Sequence, residues 1–349
     1  MALEWTLKDI ALPAPIGGGF MMEDYWVWCG SVVKGEDGKY HMFASRWSRE
    51  YPMHPGWLAH SEVVRAESET PEGPYEFKEV VLPERGARFW DGRSTHNPHI
   101  KKIDSKYVLY YTGMTYPFEE PEDKSLITHD SPIAIASRAS KRIGIAVSDS
   151  VKGPWKRFDK PILDVRPEGF DSFLVSNPAP CVNDDGSVIM IYKSRSYNDM
   201  PYADGMYGSM QLGICRSASY DGEYIRLKDS PLFEGMSEVE DPFIWHDDTG
   251  YHMMAKDMQG KICGEWQGGV YAHSDDCINW KFRMNSVFYS RDILWDDGVM
   301  RRMANLERPF LLFEDGVPTH AFFATGEGEN DGCFSKLKRT WNMVIPLNV

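Results

Sequence analysis

The chain has 349 residues, of which 42% are hydrophobic and 13% aromatic, enough to build a large core. Its 52 acidic residues outnumber 38 Lys and Arg and give a formal net charge of −14. This balance disfavours nucleic acid and anionic membranes as partners, because binding either one needs a basic face. No apolar run is long enough to cross a membrane.

Six cysteines are scattered along the chain, at Cys29, Cys181, Cys215, Cys263, Cys277 and Cys333. None belongs to a C-x-x-C pair, which disfavours a structural zinc site, and the size of the chain favours buried free thiols over disulfides. The first residues, "MALEWTLKDIALPAP", lack the basic stretch and apolar run of a signal peptide. We therefore expect a cytoplasmic protein; a periplasmic or secreted protein whose signal peptide has been removed would read the same.

Five segments share one pattern: a short apolar strand, a turn with Gly, Asp or Ser, and a second strand with alternating Tyr, Phe or Met. In chain order they read "CGSVVKGEDGKYHMFASR" from 29, "HNPHIKKIDSKYVLYYTG" from 96, "SNPAPCVNDDGSVIMIYKS" from 176, "EDPFIWHDDTGYHMMAKD" from 240 and "ERPFLLFEDGVPTHAFFATG" from 307. The pattern predicts β-hairpins. They recur at intervals of 68, 80, 64 and 67 residues, measured between Gly30, Pro98, Pro178, Pro242 and Pro309.

A second hairpin-like element follows most of these segments. It reads "RIGIAVSDSVKGPWKRFDKPIL" from 142, "QLGICRSASYDGEYIRLKDSPLF" from 211 and "GGVYAHSDDCINWKFRMNSVFY" from 268, with a looser version, "GWLAHSEVVRAESETPEGPYEFKEVVL", from 56. Two hairpins make a four-stranded antiparallel sheet, and five such sheets predict an all-β, five-bladed β-propeller spanning residues 1–349 as a single domain. Two separate all-β domains are the alternative. Joining the N-terminal "LEWTLKDIALP" to the C-terminal "KRTWNMVIPLNV" in one blade would close the ring.

In a propeller the innermost strand of each blade lines the central channel. The residues that begin these strands would meet at the channel mouth: Cys29, His96, Asn97, Ser176, Asn177, Glu240, Asp241, Glu307 and Arg308. Proline fits after them, because the first residue of a strand need not donate a ladder hydrogen bond. The alternative is that these polar groups cap the blades and bind water.

Further candidates end the second strands of the hairpins or lie in aromatic segments. Lys193 and Lys256 end apolar strands, where a lysine either extends to the rim or pairs with a buried acid. Arg46 and Trp47 end the corresponding strand of the first hairpin. Trp28 and Trp47 are the rings we expect to hold a sugar face, although packing between blades is the alternative for any Trp here.

The five hairpins, the "GPW" turn at 153–155 and the acids at the strand starts resemble the five-bladed glycoside hydrolases of families 43 and 117 and their relatives. The segment "GFDSFLVSNPAPCVNDDGSVIMIYKS" is similar to the third blade of family 117. The resemblance implies three acids: a general base in the first blade, an orienting acid in the third and a general acid in the fourth. Glu240 matches the general acid, and Asp241 stands where the family has glycine. Cys29 and Asn177 stand at the other two positions, which departs from the family pattern.

Glycosidic bond cleavage needs a second carboxyl group. Asp24 is our first candidate for the base, and Asp171 could replace the missing third acid; Asp91, Asp241 and Glu307 are further candidates. Neighbouring residues of a regular strand point to opposite faces, so Glu240 and Asp241 would face one sugar only if the backbone deviates there. A carboxylate beside Glu240 would raise its pKa.

Arg308, with Arg301 and Arg302 upstream, suggests an acidic sugar or a bound phosphate; a salt bridge from Arg308 to Glu307 or Glu240 is the alternative. The sequence thus predicts a glycoside hydrolase that releases terminal sugars from a plant or algal oligo- or polysaccharide. One rival is a phosphorylase that binds phosphate through His96, Lys193 and Arg308, and the other is a non-catalytic carbohydrate-binding propeller. No cofactor is required, a structural or channel-bound metal ion stays open, and the oligomeric state is not encoded in these patterns.

Overall fold

Five antiparallel sheets surround one axis in the computed structural model, which describes residues 3–197, 207–328 and 334–349. The first strands of neighbouring sheets contact one another all the way round, which makes them the innermost strands of five propeller blades. The predicted five-bladed architecture is therefore confirmed. None of the helices in the described ranges is long and apolar enough to span a membrane.

The first two blades follow the predicted order, with each successive strand one position farther from the axis. Blade 1 comprises β1 (Tyr25–Lys34), β2 (Tyr40–Ser48), β3 (Glu62–Ser68) and β4 (Glu76–Leu82). Blade 2 comprises β5 (Ser94–Ile103), β6 (Lys106–Met114), β7 (Arg142–Ser148) and β8 (Lys156–Arg157).

The third and fourth blades repeat this order, and a small separate hairpin follows them. Blade 3 comprises β9 (Leu174–Val182), β10 (Val188–Arg195), β11 (Gln211–Ser217) and β12 (Ile225–Arg226). Blade 4 comprises β13 (Val239–Asp247), β14 (Gly250–Asp257), β15 (Gly269–Ser274) and β16 (Lys281–Phe282), and the hairpin comprises β17 (Asp292–Leu294) and β18 (Met300–Arg302).

The fifth blade closes the ring with both ends of the chain. It comprises β19 (Glu307–Glu314), β20 (Val317–Glu327) and β21 (Arg339–Pro346). The N-terminal segment lies along β21, where the amide of Leu12 donates to the Pro346 carbonyl and the amide of Phe20 donates to the Asn342 carbonyl. The expected closure is thus present, but its fourth member pairs through isolated bridges, and Leu7–Ile10 forms a short helix instead of strand.

Helical segments on the mouth side, where each innermost strand begins, are α2 (Met53–Ala59), α3 (Pro132–Ala139) and two 3₁₀ turns, Lys124–Leu126 and Phe334–Lys336. The short helix α1 (Leu7–Ile10) lies at the other end, where Asn348 donates to the Ile10 carbonyl. The hydroxyl of Ser131 caps α3 by accepting from the amide of Ala134, and Pro132 follows at a position that suits proline. The helix α2 connects the second and third strands of blade 1, and α3 connects those of blade 2. The two helices pack against each other and extend over the channel.

Every innermost strand carries a β-bulge at the same place. The pairing register shifts there in all five blades, and the residue before the proline, or before Gly30, has a positive φ of 52–56°. These residues are Cys29, Asn97, Asn177, Asp241 and Arg308. Asn and Asp adopt the left-handed region more readily than other side chains, which suits three of the five positions. A bulge re-aims side chains, so consecutive residues can face the axis.

The hydrophobic core lies mainly between neighbouring blades. Between blades 2 and 3, for example, Tyr110, Ile145, Val175 and Met190 are fully buried in one cluster. Five cysteines are buried free thiols, as expected: Cys29, Cys181, Cys215, Cys263 and Cys277. Cys333 lies outside the described residues.

Candidate active site

The five bulge residues form a ring around the axis, and four hydrogen bonds link them in order from Cys29 to Arg308. The Asn97 amide donates to Asn177 Oδ1 at 2.6 Å, and the Asn177 amide donates to Asp241 Oδ1 at 2.7 Å. The backbone N–H of Arg308 donates to Asp241 Oδ2 at 3.0 Å, and the Cys29 thiol donates to Asn97 Oδ1 at 2.7 Å. The bulges therefore convert five distant sequence positions into one continuous polar layer.

An acidic cluster lies directly on the mouth side of this ring. Glu240 and Glu307 each precede a bulge residue, and the ammonium of Lys256 joins them, 3.1 Å from Glu240 Oε2 and 2.5 Å from Glu307 Oε2. Lys193 pairs with the other oxygen of Glu240. One oxygen from each of Glu240, Asp241 and Glu307 lies within 4.8 Å of the others. Because Asp241 is bulged, Glu240 and Asp241 both face the axis despite being neighbours.

The surroundings drive the two glutamates toward opposite protonation states. Burial acts against ionisation of Glu240, but the charges and hydrogen bonds of Lys193 and Lys256 outweigh it and hold its pKa far below the ordinary value. Burial raises the pKa of Glu307 to about 7, with Asp241 and Glu240 adding to the rise and Lys256 opposing it. Glu307 Oε1 is buried without a hydrogen-bond partner among the described residues. An ionised carboxylate thus stands beside a carboxyl group that can carry a proton at neutral pH.

The first-blade side of the mouth holds neutral groups. Burial, with the charges of Lys141, Arg308 and Lys193, lowers the pKa of His96 well below its ordinary value, and its Nδ1 lies 2.8 Å from the Ser61 hydroxyl. Burial also raises the pKa of the Cys29 thiol well above its usual range. A neutral thiol and a weakly basic imidazole therefore lie where the sequence resemblance implies a general base.

The channel is closed beneath the polar ring. The ring of His99 stacks on Phe243 with centroids 5.6 Å apart, and Phe310 packs edge-on against both, at 5.3 and 5.1 Å. These three residues come from the innermost strands of blades 2, 4 and 5, two positions after the bulge residues. These rings meet across the axis, so a recess entered from the mouth ends at them and is blind.

Asp24 and Asp171, predicted as acids of the site, are not brought to the cluster. Asp24 is exposed in the turn before β1. Asp171 is fully buried, and its oxygens accept from Arg166 at 2.9 Å, Tyr192 at 2.9 Å and Arg226 at 2.6 Å. Both of its oxygens are occupied within blade 3, so the geometry gives Asp171 a structural role.

Asp91 makes the equivalent contacts in blade 2, with Arg85 at 2.6 Å and Tyr111 at 2.7 Å. These two aspartates therefore tie the segment before β5 or β9 to its own blade.

Arg46, Trp28 and Trp47 also have positions that differ from the predicted role. Arg46 pairs with Glu62 at 2.8 Å, and its guanidinium lies over the rings of Tyr25 and Phe77. Trp47 is 1% exposed and packs edge-on against His96. Trp28, at 6%, packs edge-on against Phe334. Neither ring offers an open face to a sugar, since both lie in a core cluster with residues of α2.

The arginines upstream of β19 are likewise accounted for by local ion pairs. Arg301 binds Asp297, and Arg302 binds Asp292, both in the exposed β17–β18 hairpin. Arg308 contacts Asp241, with its guanidinium 3.6 Å from Oδ1, whereas the sequence suggested Glu307 or Glu240 as the salt-bridge partner.

Several residues near the mouth escaped the sequence analysis. Trp57, in α2, stacks on His96 with centroids 4.5 Å apart, and the ammonium of Lys141 lies 4.3 Å from the Trp57 ring centroid. The indole N–H of Trp57 donates to His54 Nδ1 at 2.9 Å. The cluster of basic residues in "SRASKR" was the available signal for this region.

The three clustered acids also have the spacing that a metal ion could use. Lys256 is already bonded to two of them, and Arg308 to the third. A divalent ion would have to displace the Lys256 ammonium to bind there, so the residues present suit a resident lysine better than a metal.

No protein-family model matches the sequence, and no curated protein matches it either. Solved structures do match the fold. A family 117 glycoside hydrolase from the marine bacterium Zobellia galactanivorans superimposes with a TM-score of 0.66 and 14% identity, over 93% of this chain and 85% of that one.

Two other solved structures give the same picture at slightly lower similarity. A thermostable family-43 glycoside hydrolase matches with a TM-score of 0.58 and 15% identity, over 97% of this chain and 92% of that one. A family 43 β-xylosidase/α-arabinofuranosidase from a compost microbial metagenome, in complex with xylotriose, matches with a TM-score of 0.57 and 16% identity, over 97% and 96%. The chain therefore has the five-bladed fold found in family 117 and family 43 glycoside hydrolases.

Proposed function

We propose that this protein is a glycoside hydrolase whose two working carboxyl groups are Glu307 and Glu240. The observation that carries the proposal is the unequal pairing of two neighbouring carboxyl groups: two ammonium groups bind Glu240, whereas Glu307 is buried with only one of them and its pKa is raised to about 7. Glycosidic cleavage needs one protonated and one ionised carboxyl, which such a difference favours. The fold shared with glycoside hydrolases agrees with this chemistry. Because these chains are only 14–15% identical to this one, we argue the activity from the geometry of the site and not from homology.

The roles differ from those that the family resemblance implies. Glu240 aligns with the general acid, but its two ammonium partners keep it ionised, so we assign proton donation to Glu307. Glu307 passes its proton to the glycosidic oxygen as the bond from that oxygen to the anomeric carbon breaks. Glu240 supplies the negative charge on the other side of the reacting carbon.

The short separation of the two groups favours retention of configuration. Their nearest oxygens lie within 4.8 Å, close to the separation of about 5–5.5 Å in retaining enzymes and short of about 6.5–9.5 Å in inverting ones. On this basis an oxygen of Glu240 bonds to the anomeric carbon as the leaving group departs. Water then releases the sugar while Glu307 takes the proton back.

The blind recess supports action at chain ends. A channel closed by His99, Phe243 and Phe310 admits a terminal sugar more readily than the middle of a polymer. A plant or algal oligo- or polysaccharide remains our proposed substrate source; one structural neighbour was solved with xylotriose.

The decisive test combines product analysis with two isosteric variants. The first-formed anomer, observed by NMR on any glycoside cleaved from a broad panel, should retain the substrate configuration. Glu307→Gln and Glu240→Gln should each lower kcat by at least about a thousandfold while the fold is kept. Unchanged turnover in either variant would refute the corresponding role.

The phosphorylase alternative draws little support from the geometry. Lys193 pairs with Glu240, Arg308 contacts Asp241, and His96 is a neutral ring between tryptophans. Its test is product analysis with and without inorganic phosphate, which should give the free sugar in both. The binding-module alternative would prevail if no glycoside in the panel were cleaved while some bound tightly.

A further inference from the structure

A cluster of positive charge stands over the recess although the chain as a whole is strongly acidic. It consists of Arg138 in α3, Lys141 just before β7, and Lys193 and Arg195 at the mouth end of β10. Lys193 is paired with Glu240. Within the described ranges, no carboxylate oxygen lies within 4.0 Å of the cationic groups of Arg138, Lys141 or Arg195. Among the described residues, three of these four cations therefore have no salt-bridge partner.

Lys141 is the strongest member of this cationic cluster. It is only 5% exposed, and its ammonium lies 4.3 Å from the centroid of the Trp57 ring. Burial and the charges of Lys193, Arg138 and Arg195 lower its pKa well below the ordinary value, while Glu240 opposes the change. A bound anion would favour the charged form of Lys141, because it would supply an opposite charge in a buried place.

Arg138 and Arg195 meet around one aromatic ring. Their guanidinium carbons lie 5.5 and 4.8 Å from the ring centroid of Tyr207. Arg138 is only 8% exposed, and Arg195 donates to the Gly208 carbonyl at 2.8 Å. Lys193 and Arg195 are two residues apart on β10, so their side chains share one face of the strand. The cationic cluster is therefore continuous from Tyr207 to Glu240.

We propose that the cationic cluster binds an oxyanion carried by the carbohydrate substrate, a carboxylate or a sulfate ester, on the ring next to Glu240. The proposal rests on the proposed glycosidase function and narrows its substrate to acidic sugars. The sequence suggested Arg301, Arg302 and Arg308 as the groups that bind an anion, but all three pair with aspartates. The proposal assigns that role to the cationic cluster instead. Guanidinium and ammonium groups together suit such a group, because they supply several charge-assisted hydrogen bonds.

The experiment measures binding and does not depend on turnover. Isothermal titration calorimetry with the whole protein would compare sugars that differ only in the anionic group: galacturonate, galactose 6-sulfate and galactose, then glucuronate, glucose 6-sulfate and glucose. Inorganic phosphate is titrated separately. We expect at least one anionic sugar to bind at least about tenfold more tightly than its neutral counterpart, and the difference to shrink in high salt.

Lys141→Met and Arg195→Gln are the matched variants, and Lys106→Gln is the control. Lys106 is paired with Asp149 at the opposite end of blade 2. Lys141→Met should remove most of the preference for the anionic sugar without changing affinity for the neutral one, and its thermal unfolding temperature should stay the same or rise. A purely structural Lys141 would instead lower that temperature and both affinities equally.

The remaining outcomes separate this inference from the proposed function. Equal affinity for every anionic and neutral pair would overturn the inference, even if neutral glycosides were cleaved. A preference lost in Lys141→Met would sustain it, even if no glycoside were cleaved. Tight binding of phosphate alone, abolished in Lys141→Met, would assign the cluster to free phosphate and overturn the sugar-borne oxyanion.

Discussion

Glu307 lies across the Lys256 ammonium from Glu240, with the nitrogen 2.5 Å from one carboxylate and 3.1 Å from the other. One cation is thus shared by two acids. Lys193 makes the two acids electrostatically unequal, because it pairs with Glu240 and not with Glu307. The asymmetry keeps Glu240 ionised and lets Glu307 carry a proton up to about pH 7.

The rate of glycoside cleavage should fall on the alkaline side. The pKa of Glu307 is raised to about 7, so above that pH the proton donor is lost and kcat/KM should fall about tenfold per pH unit. The pH profile on any cleaved glycoside checks this. A plateau extending beyond about pH 9 would contradict the assignment of Glu307 as the acid.

The stability of the fold should also depend on Glu307. The pKa of Glu307 in the folded state lies above its ordinary value of 4.5, so the folded protein keeps this proton up to a higher pH than the unfolded chain does. The contribution of Glu307 to stability therefore falls as pH rises from about 4.5 to about 7 and is constant above that. Glu307→Gln should remove this loss. Its effect on the free energy of unfolding should therefore be more favourable at pH 8 than at pH 4, by on the order of 1–3 kcal/mol. Urea unfolding of both proteins at the two pH values checks the sign.

Removing Lys256 should cost far more than removing a surface lysine. Lys256→Met would leave Glu240, Asp241 and Glu307 crowded without their shared cation, at a cost of about 3–5 kcal/mol. Lys106→Met, which breaks an exposed pair with Asp149, should cost less than about 1 kcal/mol. Chemical denaturation measures both, and equal losses would mean that the acidic cluster does not rely on Lys256.

Asp171→Asn should reduce stability and leave catalysis intact. The change weakens the bonds to Arg166, Tyr192 and Arg226 inside blade 3, none of which contacts Glu240 or Glu307. We expect a lower unfolding temperature with kcat unchanged per folded molecule. Asp91→Asn is the matched control in blade 2 and should behave in the same way. A selective loss of kcat in Asp171→Asn would restore its predicted catalytic role.

The fold could be predicted because it repeats. The recurring hairpins indicate the number of blades and their order. The strand starts at Asn97, Asn177 and Asp241 indicate where the channel mouth lies, although the sequence contains no distances. The alternation rule failed at Glu240 and Asp241, since it assumes regular strand. Asparagine or aspartate before proline in three of the five repeats was a readable sign of a left-handed bulge.

Long-range pairing accounts for the rest of what the sequence did not reveal. Asp171 looks like a loop acid until Arg226, fifty-five residues later, is seen beside it. Trp57 was assigned to the loose second hairpin of the first repeat, whereas it lies in α2, and Lys141 directly precedes the segment that repeats from 142; α2 and α3 are too short to give a helical period. Features shared by the blades were predictable, whereas features peculiar to one connection were not.

The stacked rings of His99, Phe243 and Phe310 carry a kinetic consequence. Because these rings close the far end of the channel, substrate and product would pass through the same opening, at the mouth. In the proposed hydrolase, the product would leave past the same α2 and α3 residues that the substrate passes on entry. Under the proposed binding of an anionic sugar, tighter binding by Arg138 and Lys141 would therefore also slow product release.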